Sequence, residues 1–121
     1  MKFREFETSS GKEVLAGRSA ENNEELVAQV GAKEIVLHTA KPGSGFVNIK
    51  GGRVGKKDIY EAGVFCARYS QDWRNNKTNV GVHVFRGAEI FKRKGMKTGT
   101  FGVRKFKKIV VDKKDIEGFG K

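Results

Sequence analysis

Short strand-like segments alternate along this chain with two segments of helical periodicity, and glycine-rich turns separate many of them. Strand-like segments alternate apolar and polar residues or carry a short β-branched run. They are KFREFET, KEVLAG, KEIVLH, FVNIK, VGVHVF, TGTFGVR and KIVVD. Short strands joined by tight turns pair in antiparallel fashion. We therefore predict an α+β fold, compact and mainly antiparallel, in which residues 1–121 form a single domain with two helices.

Two of the predicted strand pairs are hairpins. KFREFET and KEVLAG enclose the turn SSG, with Phe3 and Phe6 as apolar anchors. TGTFGVR and KIVVD form a second hairpin at the end of the chain, and its first strand turns Phe101 and Val103 toward the core. The strand VGVHVF places three valines on one face: Val80, Val82 and Val84.

The first helix is predicted to begin at Ser19, an N-cap residue type, and to end at Gly31. Glu21, Glu24 and Glu25 suit the positive end of its dipole. Its apolar stripe is narrow, and Asn23 falls on it beside Leu26, Val27 and Val30. A buried polar side chain needs a hydrogen-bonding partner, so we expect Asn23, together with Arg18, to hold the helix start to neighbouring strands.

The second helix is predicted to begin at Asp58, which with Glu61 resembles a capping box. Helical spacing then places five residues on its inner face: Ile59, Ala62, Gly63, Cys66 and Tyr69. Cys66 is therefore expected to be a packed thiol and not a nucleophile. The following segment, SQDWRNNKTN, is predicted to be a polar loop.

The composition indicates a folded, soluble protein of a reducing cytoplasm. The 121 residues are 37% hydrophobic and include nine phenylalanines, enough for one modest core. One cysteine forms no internal disulfide, the chain shows no charged-then-apolar leader, and its apolar runs are too short to span a membrane.

Positive charge is concentrated in the later part of the chain. The net charge is +11, yet residues 1–40 hold five basic and seven acidic side chains, a balance of −2, whereas residues 41–121 balance at +13. No acidic residue occurs between positions 90 and 111. Like charges this close repel one another and weaken the folded state, so a folded chain that keeps them is expected to bind an anionic partner. The run includes Lys92, Arg93, Lys94, Lys97, Arg104, Lys105, Lys107 and Lys108.

The kind of anionic partner follows in part from the pattern of this run. A membrane-binding surface calls for a basic amphipathic helix, but the run is broken by glycines and alternates like strand and turn, which disfavours a membrane. Nucleic acid is favoured, and a backbone-binding surface for RNA fits best. Binding to DNA or to polyanions in general stays open as an alternative, because charge alone does not separate these ligands.

Two glycine-rich loops add candidate phosphate contacts. Residues 41–45 read KPGSG, where Lys41, Ser44 and backbone N–H groups could meet a phosphate, although the loop matches no established phosphate-binding motif and could be a simple turn. Residues 51–57 read GGRVGKK and follow Lys50. This loop adds Arg53, Lys56 and Lys57 to the positive side of the domain, and it too could be a simple turn.

Trp73 is the candidate for stacking on a nucleic-acid base. It lies between polar residues in the predicted loop, beside Arg74 and Lys77, which could contact phosphates. The alternative is that its ring covers the core.

Catalysis has little support in the sequence. His38, His83 and Cys66 are too far apart for a recognisable metal motif, so no metal and no cofactor are expected. His38 ends a predicted strand just before KPGSG, where it could contact RNA or be structural. The alternative is an enzyme acting on RNA or a nucleotide, with His38 as acid or base and KPGSG holding a phosphate. We expect no enzymatic activity.

Four sequence blocks together resemble the NFACT-R domain, the RNA-binding module of the NFACT proteins of ribosome-associated quality control. The blocks are GRSAENNEELV, IVLHTAKPGSGFVNIK, EAGVFCARYSQDW and TGTFGVRKFKK, which span nearly the whole chain in the family's order. Ser19 departs from the family's frequent Asp, and the loop after His38 is short and glycine-rich. The matching positions are Gly17, Arg18, Asn23, Glu24, His38, Tyr69, Ser70, Trp73, Thr98, Gly99, Phe101 and Arg104.

The resemblance implies a module that binds tRNA or large-subunit ribosomal RNA in the cytoplasm. Full-length NFACT proteins add further domains that engage the obstructed ribosome and support tailing of the stalled peptide, and the sequence does not show them. We therefore expect a stand-alone module with an accessory role in ribosome-associated quality control or tRNA processing. The ribosome and NFACT-type proteins are further candidate partners.

Overall fold

The computed structural model describes residues 2–121. It has four α-helices: α1 (Ala20–Ala28), α2 (Lys56–Arg68), α3 (Gln71–Asn76) and α4 (Lys113–Gly118). Its strands are β1 (Arg4–Glu7), β2 (Glu13–Ala16), β3 (Ile35–Thr39), β4 (Val47–Ile49), β5 (Val80–Arg86), β6 (Ile90–Phe91), β7 (Gly102–Val103) and β8 (Lys107–Val111). A single 3₁₀ turn, Gly87–Glu89, leads from β5 into β6.

Six of the strands form one sheet in the order β1-β2-β4-β3-β5-β8, and β6 pairs with β7 in a separate small sheet. Each pairing is antiparallel. The predicted α+β class with a mainly antiparallel sheet is confirmed, as is the first hairpin, in which Phe6 lies opposite Val14.

The two faces of the large sheet bury different apolar groups, because neighbouring residues of a strand point to opposite sides. Leu37, Val82 and Val111 face the side covered by α2 and α4, where they pack with Phe65 and Ile116. The other face is covered in part by α1 and the small sheet. Its buried group is Leu26, Val36, Phe46 and Phe85, against which Phe101 and Val103 pack.

The first helix begins where the sequence predicts. Ser19 Oγ accepts a hydrogen bond from the backbone N–H of Asn22 at 3.1 Å, which satisfies one of the unpaired amides of the first turn. The predicted end is wrong, however, because the C-cap is Gln29 and not Gly31. The Gly31 N–H donates instead to Glu34 Oε1, so the backbone leaves the helix two residues earlier.

The predicted start of the second helix is also wrong. Its N-cap is Gly55, and Asp58 lies in the first turn, where its carboxylate accepts from the Gly55 N–H at 3.0 Å. Asp58 also accepts from Ser10 Oγ, while Glu61 accepts from the N–H and hydroxyl of Ser9. Both acids therefore bind the turn of the first hairpin, a long-range role that local spacing does not reveal.

The segment predicted as a polar loop contains α3. Ser70 caps it by accepting from the Trp73 N–H at 3.2 Å, and Trp73 then lies in the core with only 4% of its surface exposed. Two interpretations of Trp73 were open, base stacking and a ring packed over the core, and the structure supports the second. A base cannot stack on a ring this deeply buried, so Trp73 is not a stacking residue in this conformation.

The second predicted hairpin is wrong. TGTFGVR contributes β7, which pairs with β6, whereas β8 pairs with β5 at the edge of the large sheet. The cause is packing: Phe101 and Val103 pack on the α1 side of the large sheet, and Ile109 and Val111 on the α2 side. β7 lies in the small sheet that covers the α1 side, whereas β8 lies within the large sheet, so the two segments are not paired with each other.

Cys66 is buried on the inner face of α2, as predicted. Burial raises the pKa of its thiol to about 12, which keeps it protonated at neutral pH and unsuited to nucleophilic chemistry. Within residues 2–121, none of the helices has the length and apolar character that a bilayer crossing requires.

Candidate nucleic-acid interface

Residues 92–101 connect β6 to β7 and are called the basic segment here. Two turns shape it, closed by hydrogen bonds from the Met96 N–H to the Arg93 carbonyl and from the Thr100 N–H to the Lys97 carbonyl. Arg93, Lys94 and Lys97 are exposed. The basic segment thus presents three cations to solvent from a backbone held in defined turns.

Glu24 of α1 binds the basic segment at two points. Its Oε2 accepts from Lys92 Nζ at 2.7 Å and from the Gly99 N–H at 2.6 Å. The hydrogen bond from Lys92, followed by that from Gly99, lowers the pKa of the Glu24 carboxyl, so it is ionised at neutral pH. A carboxylate on the first helix therefore fixes a loop that comes much later in the chain.

Lys92 lies at the surface, but its ammonium is held by intramolecular hydrogen bonds and is not the freely solvated group that the sequence predicts. Besides Glu24, its ammonium donates to the carbonyls of Lys97 and Thr100, both at 2.7 Å, and it lies 4.4 Å from the centre of the Phe101 ring. An ammonium has three donors, and these three acceptors use them all. Lys92 closes the basic segment into a loop.

Gly99 allows the basic segment to approach the start of α1. Its φ is +81°, a left-handed conformation that side-chain-bearing residues rarely adopt. A Cβ at this position would lie 2.6 Å from the Ala20 Cα. The family-pattern glycine is therefore required both by backbone conformation and by space.

A cleft of about 390 Å³ lies beside the basic segment and is called the motif cleft here. Its walls come from β1, the start of α1, the loop after β3, the α2–α3 region and the basic segment, so all four family-like blocks, which are distant along the chain, meet there. It is lined by Arg4, Gly17, Arg18, Ser19, Ala20, Asn23, Gly43, Ser44, Gly45, Tyr69, Arg74, Thr98, Gly99 and Thr100.

Asn23 and Gly17 form the floor of the motif cleft. Asn23 Oδ1 accepts from the buried Phe46 N–H at 3.1 Å, and the Gly17 N–H donates to the Phe46 carbonyl at 3.0 Å. A Cβ on Gly17 would collide with Asn23 Oδ1. The expectation that Asn23 is buried with a hydrogen-bonding partner is confirmed, since Phe46 directly precedes β4, and its family-pattern position has a structural explanation.

Tyr69 and three arginines border the opening of the motif cleft. The Arg4 guanidinium lies 4.0 Å from the centre of the half-exposed Tyr69 ring, and Arg74 Nη1 is 3.5 Å from the Tyr69 carbonyl. Arg18 is exposed at the start of α1. Arg4 was not predicted from the sequence, since nothing in β1 marks it as a neighbour of Tyr69.

Lys50 and Ser44, both predicted phosphate contacts, are committed to internal hydrogen bonds. Lys50 Nζ donates to Glu34 Oε1 and Gln29 Oε1, both at 2.8 Å, and to Asn48 Oδ1 at 3.2 Å. Ser44 Oγ accepts from the Thr39 N–H and donates to the Gly45 carbonyl, each at 3.2 Å. Both side chains stabilise the fold in this conformation.

The remaining predicted contacts lie at several places on the surface. Lys41 is exposed, with its Nζ 3.8 Å from Asp72 Oδ1, and Lys77 Nζ lies 5.1 Å from the centre of the Trp73 ring. Arg53 lies with Arg86 in a separate groove of about 550 Å³ at the Ile35 end of β3. The Arg104 guanidinium is 5.0 Å from the Phe91 ring centre. Lys105, Lys107 and Lys108 are exposed on the path into β8 and within it.

His38 lies within β3 and lines a second cleft of about 400 Å³, called the histidine cleft here, with residues of the KPGSG loop, His83 and Phe101. Burial lowers the pKa of His38, which keeps the ring neutral at pH 7, and its Nδ1 is 2.8 Å from the Thr39 carbonyl. The residues that line the histidine cleft include no carboxylate to pair with it. Across residues 2–121, no group of three or more His, Cys, Asp or Glu side chains is arranged to hold a metal ion.

Comparison with solved structures gives a match to the C-terminal part of the fibronectin/fibrinogen-binding protein of Streptococcus suis. The TM-score is 0.85 at 20% sequence identity, and the match covers 97% of this chain and 48% of that one. At that identity the likeness shows the fold alone. This chain thus spans about half the length of the matched structure.

Two sequence comparisons bear on the family. A search of curated proteins gives no match. Residues 2–105 match the family model described as the NFACT protein RNA binding domain, a range that includes the motif cleft and the basic segment. The chain therefore belongs to the NFACT-R family of RNA-binding domains.

Proposed function

We propose that this RNA-binding module holds structured RNA, tRNA or large-subunit ribosomal RNA, by its phosphate backbone at the basic segment and the adjoining mouth of the motif cleft. One observation carries the proposal: Glu24 fixes the basic segment so that its residues 98–100 line the motif cleft together with Arg18 and Arg74. Three cations of the same segment remain exposed: Arg93, Lys94 and Lys97. Because the backbone of the segment is already ordered, its cations can match the spacing of phosphates, and binding does not lose free energy in ordering a loop.

The cellular role that we propose is accessory, in the cytoplasm, within ribosome-associated quality control or tRNA processing. The family supplies the RNA-binding character. Residues 1–121 act as one RNA-binding unit, and the ribosome or NFACT-type proteins are the partners that could provide the other functions of a longer family member. The family is one of RNA binding and not of catalysis, so His38 is assigned no catalytic role.

Salt dependence and competition test the proposal. If about five cations each neutralise one phosphate, log K should fall with log[salt] at a slope of about −3.5 for single-stranded RNA, roughly a hundredfold loss between 50 and 200 mM. The measurement is fluorescence anisotropy with labelled RNA, with tRNA, duplex DNA and heparin as competitors at fixed salt. Competition by tRNA that is stronger than that by duplex DNA or heparin at equal phosphate supports the proposal, whereas equal competition by all three contradicts it.

The role of Glu24 can be separated from that of net charge. Glu24→Ala removes an acid and so raises the net charge from +11 to +12, yet it releases both Lys92 and Gly99. We expect roughly tenfold weaker RNA binding, because the freed basic segment must then be ordered on binding. The readout is the dissociation constant for tRNA at 100 mM salt.

Glu21→Ala is the matched control for Glu24→Ala. Glu21 is exposed in the first turn of the same helix, and its removal changes the net charge by the same amount. We expect unchanged or slightly tighter binding for this variant. Equal tightening in both variants would show that charge alone, and not the order of the basic segment, sets the affinity.

A further inference from the structure

Part of the large sheet remains open on the side shared with α1. Because side chains alternate between faces, three cross-strand neighbours point to this side in one row: His38, His83 and Lys108. Gly81 and Val110 are paired in the adjacent row. Val110 is 57% exposed, so the cover formed by α1 and the small sheet does not reach the β8 edge. We call His83, Phe106 and Lys108 the open sheet face, and Val110 borders it.

An aromatic stack stands on the open sheet face. The rings of His83 and Phe106 are 3.9 Å apart between centroids and are inclined by only 24°. Phe106 is 51% exposed although it is among the most apolar residue types. One face of its ring is covered by His83, and the exposed half is available to a further planar group.

The surroundings of the stack are strongly positive. Lys105, Lys107 and Lys108 flank Phe106 along the chain and are exposed. The groove that Phe106 lines also contains Arg86 and Arg104, with Glu89 as its acid. Burial and the nearby Lys108 ammonium lower the pKa of His83, so its ring is neutral at pH 7 and stacks as an uncharged aromatic. A planar apolar surface within a cluster of ammonium groups is complementary to a base and its phosphate.

The histidine cleft adjoins this stack, because His83 lines it as well. Its volume of about 400 Å³ falls within the range of small-ligand sites, and Thr100 and Phe101 of the basic segment line it too. The stack therefore lies between the edge strand and a recess that the basic segment borders. An RNA strand held at the basic segment would have a short path to Phe106.

We propose that the open sheet face binds an unpaired nucleotide of the RNA, with its base stacked on the Phe106–His83 pair and its phosphate contacted by Lys108. This inference rests on the proposed function, since it assumes an RNA ligand, but it adds a contact of a different kind. Backbone contacts hold any RNA, whereas stacking requires a base that is not paired in a helix. The module would thus favour loops, bulges or single strands within a structured RNA.

The test compares two labelled probes of equal charge, a uridine 12-mer and a 12-mer of the same backbone with abasic sites. We expect the full protein to bind the uridine strand roughly 5- to 150-fold more tightly, the range for one stacked base. Phe106→Ala should remove that preference and leave both the abasic affinity and the salt slope unchanged. Phe106→Trp should keep the preference, and its fluorescence should be quenched by the uridine strand alone.

Val110→Ala is the matched control, because it shortens an exposed apolar side chain that has no ring and lies in the row beside the proposed site, paired with Gly81. It should retain the preference for the uridine strand. Melting temperatures close to that of the parent protein show that each variant is folded, and Phe106→Leu replaces Phe106→Ala if the latter is not.

The outcomes separate this inference from the proposed function. If the protein bound neither 12-mer, nor tRNA, nor duplex RNA, both the proposed function and the stacking site would be overturned. Salt-dependent binding of both strands with equal affinity would overturn the stacking site alone and leave backbone binding intact. The stacking site would also be overturned if Phe106→Ala weakened both strands equally, and the open sheet face would then suit an acidic protein segment with an apolar side chain.

Discussion

Reversal of Arg93, Lys94 and Lys97 to glutamate should weaken RNA binding by about a hundredfold at 0.1 M salt. Each lost phosphate contact reduces the salt slope by about 0.7 for a single strand, so the slope should fall from about −3.5 to about −1.4. The loss should be similar for every RNA tested, because backbone contacts carry little sequence information. Anisotropy titrations at four or more salt concentrations measure both quantities.

Lys92 is excluded from that variant for a structural reason. Its ammonium is bonded to Glu24 and to two carbonyls of the basic segment, so a glutamate there would face Glu24 and disrupt the loop. Arg93, Lys94 and Lys97 are exposed, and their substitution should leave the melting temperature nearly unchanged.

A second triple variant, Lys113, Lys114 and Lys121 to glutamate, is the control for net charge. Since each reversal removes two units of charge, both variants have a net charge of +5 instead of +11. The control residues lie in and after α4, which packs with α2 on the other side of the large sheet. If the control variant lost as much RNA affinity, the net positive charge of the protein, and not the basic segment, would account for binding. If the first variant lost none, the binding surface would lie elsewhere, and the Arg53 groove would be the next candidate.

Glu34→Ala should destabilise the protein by roughly 2 to 3 kcal/mol at pH 7 without a change in RNA affinity. Burial raises the pKa of the Glu34 carboxyl, but hydrogen bonds from Lys50, Gly31 and Gly51 outweigh it and lower the pKa from 4.5 to about 2. The side chains of Glu34 and Lys50 are only 16% and 27% exposed, so solvent screens the pair weakly. Chemical denaturation measures the free energy of unfolding.

The pH dependence of stability gives an independent readout of the same cluster. Because the pKa of Glu34 is lower in the folded state, its contribution is complete above about pH 4.5 and is lost as the pH falls toward 2. The difference in unfolding free energy between the parent protein and Glu34→Ala should therefore shrink over that window. Glu117→Ala, which removes an exposed carboxylate of α4, is the control and should leave the free energy of unfolding at pH 7 nearly unchanged. A constant difference from pH 7 to pH 2 would show that the carboxylate charge does not contribute.

Local sequence patterns were sufficient for several elements of this fold. Alternation identified β5, the Ser19 cap placed the start of α1, and helical spacing placed Cys66 in the core. The resemblance to the family marked Gly17, Asn23 and Gly99, all of which border the motif cleft. These features depend on residues a few positions apart, or on a family pattern that already contains the fold.

The short elements were the ones that sequence reasoning missed or misplaced. Six-residue α3 and α4, and two-residue β6 and β7, contain too few positions to show a period. Trp73 lies among polar residues along the chain, yet its ring enters the core because α3 packs against α2. The His83–Phe106 stack likewise depends on the pairing of β5 with β8, which replaced the predicted hairpin.

The sequence alone determined that the later part of the chain is strongly basic and alternates between strand and turn, since charge and periodicity are properties of the residues themselves. Only the tertiary structure decided which of these cations remain available to a ligand. Lys92 and Arg93 are neighbours in the chain, but Glu24, 68 residues away from Lys92, binds the first and leaves the second exposed. Lys50 is withdrawn in the same way by Glu34. The physical reason is that an ammonium bonded to a carboxylate and to carbonyls has no donor left for a ligand, and only the packing of distant segments brings those acceptors within reach.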